Sequence, residues 1–436
     1  MSVTKAETVA HALGNRRAVV AWCLFDWANS AFPAIVTTFL FSAYFTDHVA
    51  PTHAAGQALW SWANGLAALA IALASPVLDA IADQGGRRKP WLFAFSLASI
   101  LATAALWFVR PVADDVVFAL VAMAVATLGF ELGTAFYNAM LPDLVARNHL
   151  GRVSGWGWGL GYAGGLCCLG LSYLVFVRPD PAPFGLDRAM AEHVRIVMPL
   201  AALWFALFAL PLFLWAPDRP PSGRGLGAIV RGGIAELIAT LRQMRRYGNI
   251  VRFLLAKMIY IDGLNTLFIV GGSFAAGAFQ MSVGEVLVFG ILLNATAGAG
   301  AIAFAWIDDW LGAKPTILVS LAALTLLGGA VLIVESKLWF YVLAAALGIF
   351  VGPVQAASRS FMARLAPPEQ RTEFFGLYNL AGKITTPVGP FLVGLVTYLF
   401  QNQRAGMLTI LPFLVVGMLL LMSVKEPRPG EAAAKP

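Results

Sequence analysis

Charge is what this chain has least of. Asp, Glu, Lys and Arg together make up 12% of its 436 residues, about half the share of an ordinary water-soluble domain. Its three cysteines, Cys23, Cys167 and Cys168, are too few for a disulfide framework and read as small apolar fillers. Five histidines, His11, His48, His53, His149 and His193, form no pair at zinc-ligand spacing on one helix. Metalloenzyme chemistry therefore loses most of its support, and neither a metal nor a cofactor is expected. A composition so rich in apolar residues also excludes disorder.

What is present is apolar: 59% hydrophobic residues and a mean hydropathy of +0.76. A spanning helix needs ~20 apolar residues, so this composition suffices for about twelve. Twelve apolar runs can be marked, near 18–45, 57–78, 90–109, 115–141, 154–177, 197–215, 250–278, 284–306, 315–334, 338–361, 372–400 and 405–423. The reading is an all-α integral membrane protein of twelve transmembrane helices.

In a soluble protein a net charge of +7 would suggest nucleic-acid binding; between spans, its placement matters instead, and no nucleic-acid partner is expected. Lys and Arg crowd the N-terminal stretch, the even-to-odd connections and the C-terminal tail. The opposite loops hold only Arg110, Arg178, Arg188, Arg195, Lys337 and Arg404. This bias predicts both termini in the cytoplasm, in what would be a bacterial inner membrane, and an even number of spans.

The longest connection, 216–249, lies near the midpoint. It carries Pro217, Pro220 and Pro221, then a helical stripe of Leu226, Ile229, Val230, Leu237, Ile238, Leu241 and Met244 with Arg231, Arg242, Arg245 and Arg246 beside it. That pattern predicts a basic amphipathic helix on the anionic inner leaflet, with a solvated linker as the other reading. It separates two six-span bundles, 1–215 and 250–436. A repeat supports the division. DAIADQGGRRKPWL after the second span aligns with AWIDDWLGAKPTIL after the eighth, setting Asp83 on Asp309, Gly86 on Gly312 and Arg88 on Lys314. At nearly the same offset, Gly155 and Gly161 in the fifth span align with Gly376 and Gly382 in the eleventh. Parallel duplicated halves with a substrate site between them are a recurrent carrier architecture.

The spacing of Asp83, Gly86, Arg87 and Arg88 resembles the signature loop of the major facilitator superfamily. FDWANSAF (Phe25 to Phe32), the triplet Ser358 to Ser360 and FFGLYNLAGK (Phe374 to Lys383) are similar to the branch containing the vacuolar amino-acid effluxers of fungi and their bacterial relatives. The likeness spans essentially the whole chain. It implies the major facilitator fold, with two pseudo-symmetric six-helix bundles, and transport of a small polar solute by alternating access. It also implies an amino acid or related zwitterion as cargo, while protons are expected as the coupling ion because a carboxyl buried in a span can exchange one. Asp79 departs from the pattern, since a small residue usually opens the signature loop; it adds a carboxylate at the cytoplasmic mouth.

An ionisable residue inside a span is costly enough to be a functional candidate. Asp26 in the first span, with Asn29 one turn on, is a candidate for substrate binding or proton transfer, against a helix-tethering role. Glu131, in the apolar fourth span, is a proton-coupling candidate, against a protonated structural Glu bonded to a neighbouring helix. Asp262 and Asn265 repeat the Asp-x-x-Asn pattern on the seventh span, suggesting a polar pocket shared by the halves. Lys257 stands on the same span but does not share a face with Asp262. Gln355 and Arg359 on the tenth span, and Asn379 and Lys383 on the eleventh, would supply polar groups and cations for a carboxylate; alternatively Arg359 and Lys383 pair with Glu131, Glu373 or Asp308. In the gating loops, Asp83 should accept from a helix N-terminus in the facing half, while Arg87, Arg88 and Lys89 face lipid headgroups. Asp79, Gly86, Asp309, Gly312 and Lys314 complete that set.

No nucleophile with a base, metal cluster or phosphate loop supports a membrane enzyme, and no signalling domain supports a sensor. A monomeric carrier is the leading reading, with an exporter of lipid-like or drug-like compounds, or a non-transporting membrane sensor, as the alternative.

Overall fold

The computed structural model describes residues 16–242, 247–281 and 283–426. Twelve helical stretches are long and apolar enough to cross a membrane. Spans 1 to 6 are Arg16–Val49, Ala55–Gly85, Lys89–Phe108, Ala113–Leu144, Arg147–Val177 and Glu192–Trp215. Spans 7 to 12 are Gly248–Gly272, Val288–Leu311, Ala313–Ile333, Lys337–Leu365, Pro368–Phe400 and Gln403–Met422. Each falls on one of the twelve runs read from the sequence, and no strand occurs among the described residues.

Local chemistry shapes several of them. Pro33, which has no backbone N–H to give, opens a π-helical stretch, Pro33–Phe39, in span 1. Span 11 is two helices, Arg371–Lys383 and Val388–Phe400, parted by a turn at Thr385, Thr386 and Pro387. Broken helices of this kind survive in a membrane only where protein or a cavity satisfies the freed backbone.

Span 5 is the seam of the molecule. One row of its glycines, Gly151, Gly155 and Gly159, lies against Asp308, Ala305 and Ile302 of span 8, while Gly157, Gly161 and Gly164 lie against Asp26, Ser30 and Trp27 of span 1. A side chain on either row would hold the neighbouring backbone off, so the glycines let span 5 sit between a span of the first half and one of the second. The halves also meet where span 2 packs on Arg371–Lys383 and where span 10 packs on spans 4 and 5. The far ends behave differently. Pro33–Phe39 packs on spans 5 and 6, and Val388–Phe400 packs on the span 7 helix and on Gln403–Leu408, each within its own half.

The connection between the halves forms a helix, Leu226–Arg242, as its periodicity predicts; Arg245 and Arg246 lie outside the described residues. It rests on the end of span 2, with Gly233 against Ile81 and Ile229 against Gly85. Arg224 donates to Gln84 at 2.5 Å. Arg231, Ile234 and Ile238 remain exposed.

Candidate functional site

The charged groups that link the halves form two layers. The first is a latch at the end of span 2. Asp83 accepts from the Thr372 hydroxyl at 2.6 Å through Oδ1 and from the Glu373 backbone N–H at 2.9 Å through Oδ2. It thereby caps the exposed donors at the start of span 11, as its spacing predicts. Arg88 sits behind it. Its Nε donates to Thr372 at 2.8 Å, its Nη1 to Asp143 and to the Ala139 carbonyl, both at 2.7 Å, and its Nη2 lies 3.4 Å from Asp83. Asp143 also pairs with Arg219 at 2.9 Å and with Arg371 across the interface. Burial pulls the Arg88 guanidinium below its ordinary value, opposed by Asp83 and Asp143.

The repeat supplies a partner latch. Asp309 accepts from the Gly151 backbone N–H at 2.9 Å, near the start of span 5, and lies 3.4 Å from Arg152. Arg364 pairs with Asp308 at 2.7 Å and with Glu426 at 3.3 Å. Each signature aspartate thus grips the beginning of a helix in the opposite half, a pseudo-twofold arrangement produced by the duplicated sequence.

Three sequence readings need correction here. Arg88 does not face headgroups: it is buried at 1% exposure because five donors in a planar fork find acceptors on both halves. Arg87 is exposed, and Lys89 donates to the Ala216 carbonyl at 2.6 Å. Lys314 does not repeat the role of Arg88; it donates to the Met422 and Val424 carbonyls and ties down the end of span 12. Asp79, expected at the cytoplasmic mouth, is enclosed there against Gly376 of span 11, accepting from Ser75 at 2.7 Å. Gly86 and Gly312 have φ of +83° and +100°, a backbone region only glycine adopts freely.

The second layer lies deeper, where two ion pairs cross between the halves. Asp26 of span 1 meets Arg359 of span 10 at 2.8 Å. The rest of that guanidinium is spent on span 5, with Nε on Ser154 Oγ at 2.9 Å and Nη2 on the Ser154 carbonyl at 2.6 Å. Its plane stands 4.7 Å from the Trp22 ring and 5.6 Å from Trp158. Glu131 of span 4 meets Lys383 of span 11 at 2.6 Å. This second pair is the more open, with the Lys383 side chain 37% exposed.

The other candidates are distributed around these pairs. Gln355 accepts from the Tyr162 hydroxyl at 3.2 Å, again across the halves. Asn379 has a side-chain amide with no partner among the described residues, and Asn29 is buried at 5% exposure. The symmetric pocket expected from Asp26, Asn29, Asp262 and Asn265 does not form. Asp262 is buried within the second half, accepting from the Gly389 backbone N–H at 3.2 Å where span 11 is broken, while Asn265 is half-buried on the same helix. Sequence reasoning passed over Ser154, Trp22 and Trp158, which hold Arg359; the GWGWG repeat around Gly157 was the available signal.

Gly157 leaves room for the Asp26 and Arg359 pair. A Cβ there would stand 2.5 Å from Asp26 Oδ2, 2.8 Å from Arg359 Nη2 and 3.0 Å from Trp22. Gly157→Ala is therefore expected to lower thermal stability by roughly 1–3 kcal/mol. Gly170→Ala, with nothing within 4 Å, should leave the melting curve in place; equal melting curves for the two variants would refute the packing argument.

The family model described as "Vacuole effluxer Atg22 like" matches residues 47–151 and 146–434. The chain belongs to the Atg22-like family. An uncharacterized MFS-type transporter of Bacillus subtilis, YxiO, is 26% identical over 93% of this chain and 94% of its own length. Autophagy-related protein 22 of Yarrowia lipolytica is 24% identical over 70% of this chain, which spans only 56% of that fungal protein. Among solved structures, the proton:xylose symporter XylE superposes with a TM-score of 0.73 over 95% of this chain and 96% of its own, at 13% identity. FucP in an outward conformation gives 0.73 over 94% and 99%, at 12% identity. These likenesses establish the major facilitator fold. The Atg22-like chain is thus an integral membrane protein and a secondary transporter rather than an enzyme, and its substrate is a small molecule.

Proposed function

We propose that this Atg22-like carrier moves a zwitterionic solute, an amino acid or close relative, out of the cytoplasm with proton coupling. The observation that carries the reading is the pair of deep ion bridges, Asp26 with Arg359 and Glu131 with Lys383, each with its acid on the first half and its base on the second. A zwitterion carries one charge of each sign and can substitute for either partner of such a bridge as the halves move. An ammonium suits a carboxylate and a carboxylate suits Arg or Lys. The effluxer description of the family and the sequence resemblance to amino-acid effluxers agree with this chemistry.

The latched side is assigned to the cytoplasm, because Arg and Lys crowd its loops. Both termini then lie inside, in a bacterial inner membrane, and the cytoplasmic side is the closed one in the present conformation. The protein acts as a monomer, and the exposed Arg231 with the rest of the linker helix meets anionic lipid. Opening the latch would pull Asp26 from Arg359 and expose Glu131 to the other side, where it can exchange its proton.

Flux in proteoliposomes tests the coupling. Glu131→Gln is expected to abolish transport driven by a pH gradient while leaving exchange of labelled for unlabelled substrate measurable. Gradient-driven flux equal to wild type would remove Glu131 from the coupling step.

A further inference from the structure

One buried cation of the second half takes no part in these bridges among the described residues. Lys257 of span 7 is 4% exposed, and no carboxylate lies within ion-pair distance of it among the described residues. Its ammonium donates to the Tyr378 backbone carbonyl at 2.6 Å and lies 3.5 Å from the centre of the Tyr378 ring. A side chain at Gly382 would come within 3.0 Å of the same nitrogen, so glycine there keeps the pocket open for it. An ammonium has three donors, of which one carbonyl takes one and a ring face shields another only weakly. Burying a charge without a counter-charge is costly.

The neighbours explain the excess. Gly382, whose added Cβ would stand 3.0 Å from the Lys257 nitrogen, is the residue just before Lys383, and Lys383 pairs with Glu131 at 2.6 Å, so the three groups lie in one region between the halves. Tyr260 is buried on the same helix, where its hydroxyl is taken by Ser358 at 2.6 Å. Arg359 is already committed to Asp26 and Ser154. The cluster of Lys257, Lys383 and Glu131 therefore holds two cations and one carboxylate, which is one negative charge short of balance.

We propose that Lys257, Lys383 and Glu131 form an anion site that the carboxylate of the substrate completes. The incoming carboxylate takes the more exposed Lys383, and Glu131 turns toward Lys257, so that both acids and both bases end paired. Lys257 is a positioning residue that keeps Glu131 compensated while Lys383 is occupied by substrate. This rests on the zwitterion reading above for the class of substrate, but the site itself requires only a carboxylate.

Thermal shift of the purified full-length carrier in detergent separates the two ideas. The probes are the twenty L-amino acids taken singly, their carboxamide analogues, and simple organic acids lacking an amine. Wild type should be stabilised by at least one amino acid and not by its amide. Lys257→Gln should weaken that binding about 10- to 100-fold, the range for a charge-assisted hydrogen bond. Lys257→Arg should restore most of it. Because the buried lysine has no counter-charge, Lys257→Met should melt higher than wild type without ligand, which shows that it folds, and still fail to bind. Binding to Lys257→Gln at wild-type strength, or equal binding of amide and acid, overturns the anion site. If organic acids bind, amino acids do not, and Lys257→Gln abolishes the binding, the site stands and the zwitterion reading falls. If no carboxylate binds wild type, both fall.

Discussion

Arg359→Met should reduce transport to the level of empty vesicles and cost about 3–5 kcal/mol of stability, the usual penalty for removing one member of a buried ion pair. The reason lies in what the guanidinium joins. It bonds Asp26 on span 1 and both the hydroxyl and the carbonyl of Ser154 on span 5, while its own backbone belongs to span 10. Without it, Asp26 keeps a charge with no partner across the interface, and Ser154 loses two donors. Arg359→Lys would retain the charge, but its donors share one nitrogen and cannot span the positions that Nε, Nη1 and Nη2 reach, so an intermediate result is expected, with transport reduced about 10-fold. The double variant Asp26→Asn with Arg359→Met should regain stability, because the stranded carboxylate is gone, and remain inactive. Proteoliposome flux together with thermal unfolding of all three variants tests the set. Full activity in Arg359→Met would show that the bridge takes no part in transport, and a double variant as unstable as Arg359→Met would show that the stranded charge is not the source of the cost.

Asp83→Asn should slow the maximal rate about 10-fold and leave the half-saturating substrate concentration within about 2-fold. An aspartate capping a helix start and facing an arginine contributes ~1–2 kcal/mol to the arrangement it stabilises, and each 1.4 kcal/mol is tenfold in a population. Asparagine can still accept one hydrogen bond from Thr372 or Glu373, but it loses the attraction to Arg88 and to the helix start. The latched conformation would become less populated, and each cycle would wait longer for it. The substrate groups lie in the deeper layer and keep their geometry. Asp309→Asn should have a smaller effect, since Arg152 and Arg364 bind the neighbouring Asp308 and Asp309 together. Initial rates across a substrate concentration series decide the matter: a large rise in half-saturation with an unchanged maximal rate would place Asp83 in the binding site instead of the latch.

How far the sequence could be read depended on the kind of interaction. Asp83 was legible because a carboxylate at the end of a span, beside a glycine turn, suits the unpaired donors of a helix start; which helix start it meets was not legible. The bridge between Glu131 and Lys383 was one of several allowed pairings. Asp26 with Arg359 was not foreseen, because the two stand on helices of opposite halves, each packed against span 5. The duplicated Asp-x-x-Asn pattern misled for a related reason. Asp262 lies beside a break in span 11, where the free backbone N–H of Gly389 takes it, and the sequence pattern of span 7 carries no sign of that break.

The sequence by itself determined that this is a twelve-span membrane protein built from two related halves and which few charged residues stand inside the bilayer, and it pointed Asp83 at a helix start. Those are consequences of the cost of burying charge and of open backbone groups in hydrocarbon, and that cost acts on each segment separately. Only the tertiary structure decided which acid faces which base, that Arg88 is buried in the latch, and that Lys257 has no carboxylate within ion-pair distance among the described residues. Pairing depends on how helices cross and on how closely glycine rows allow them to approach, which no single segment specifies.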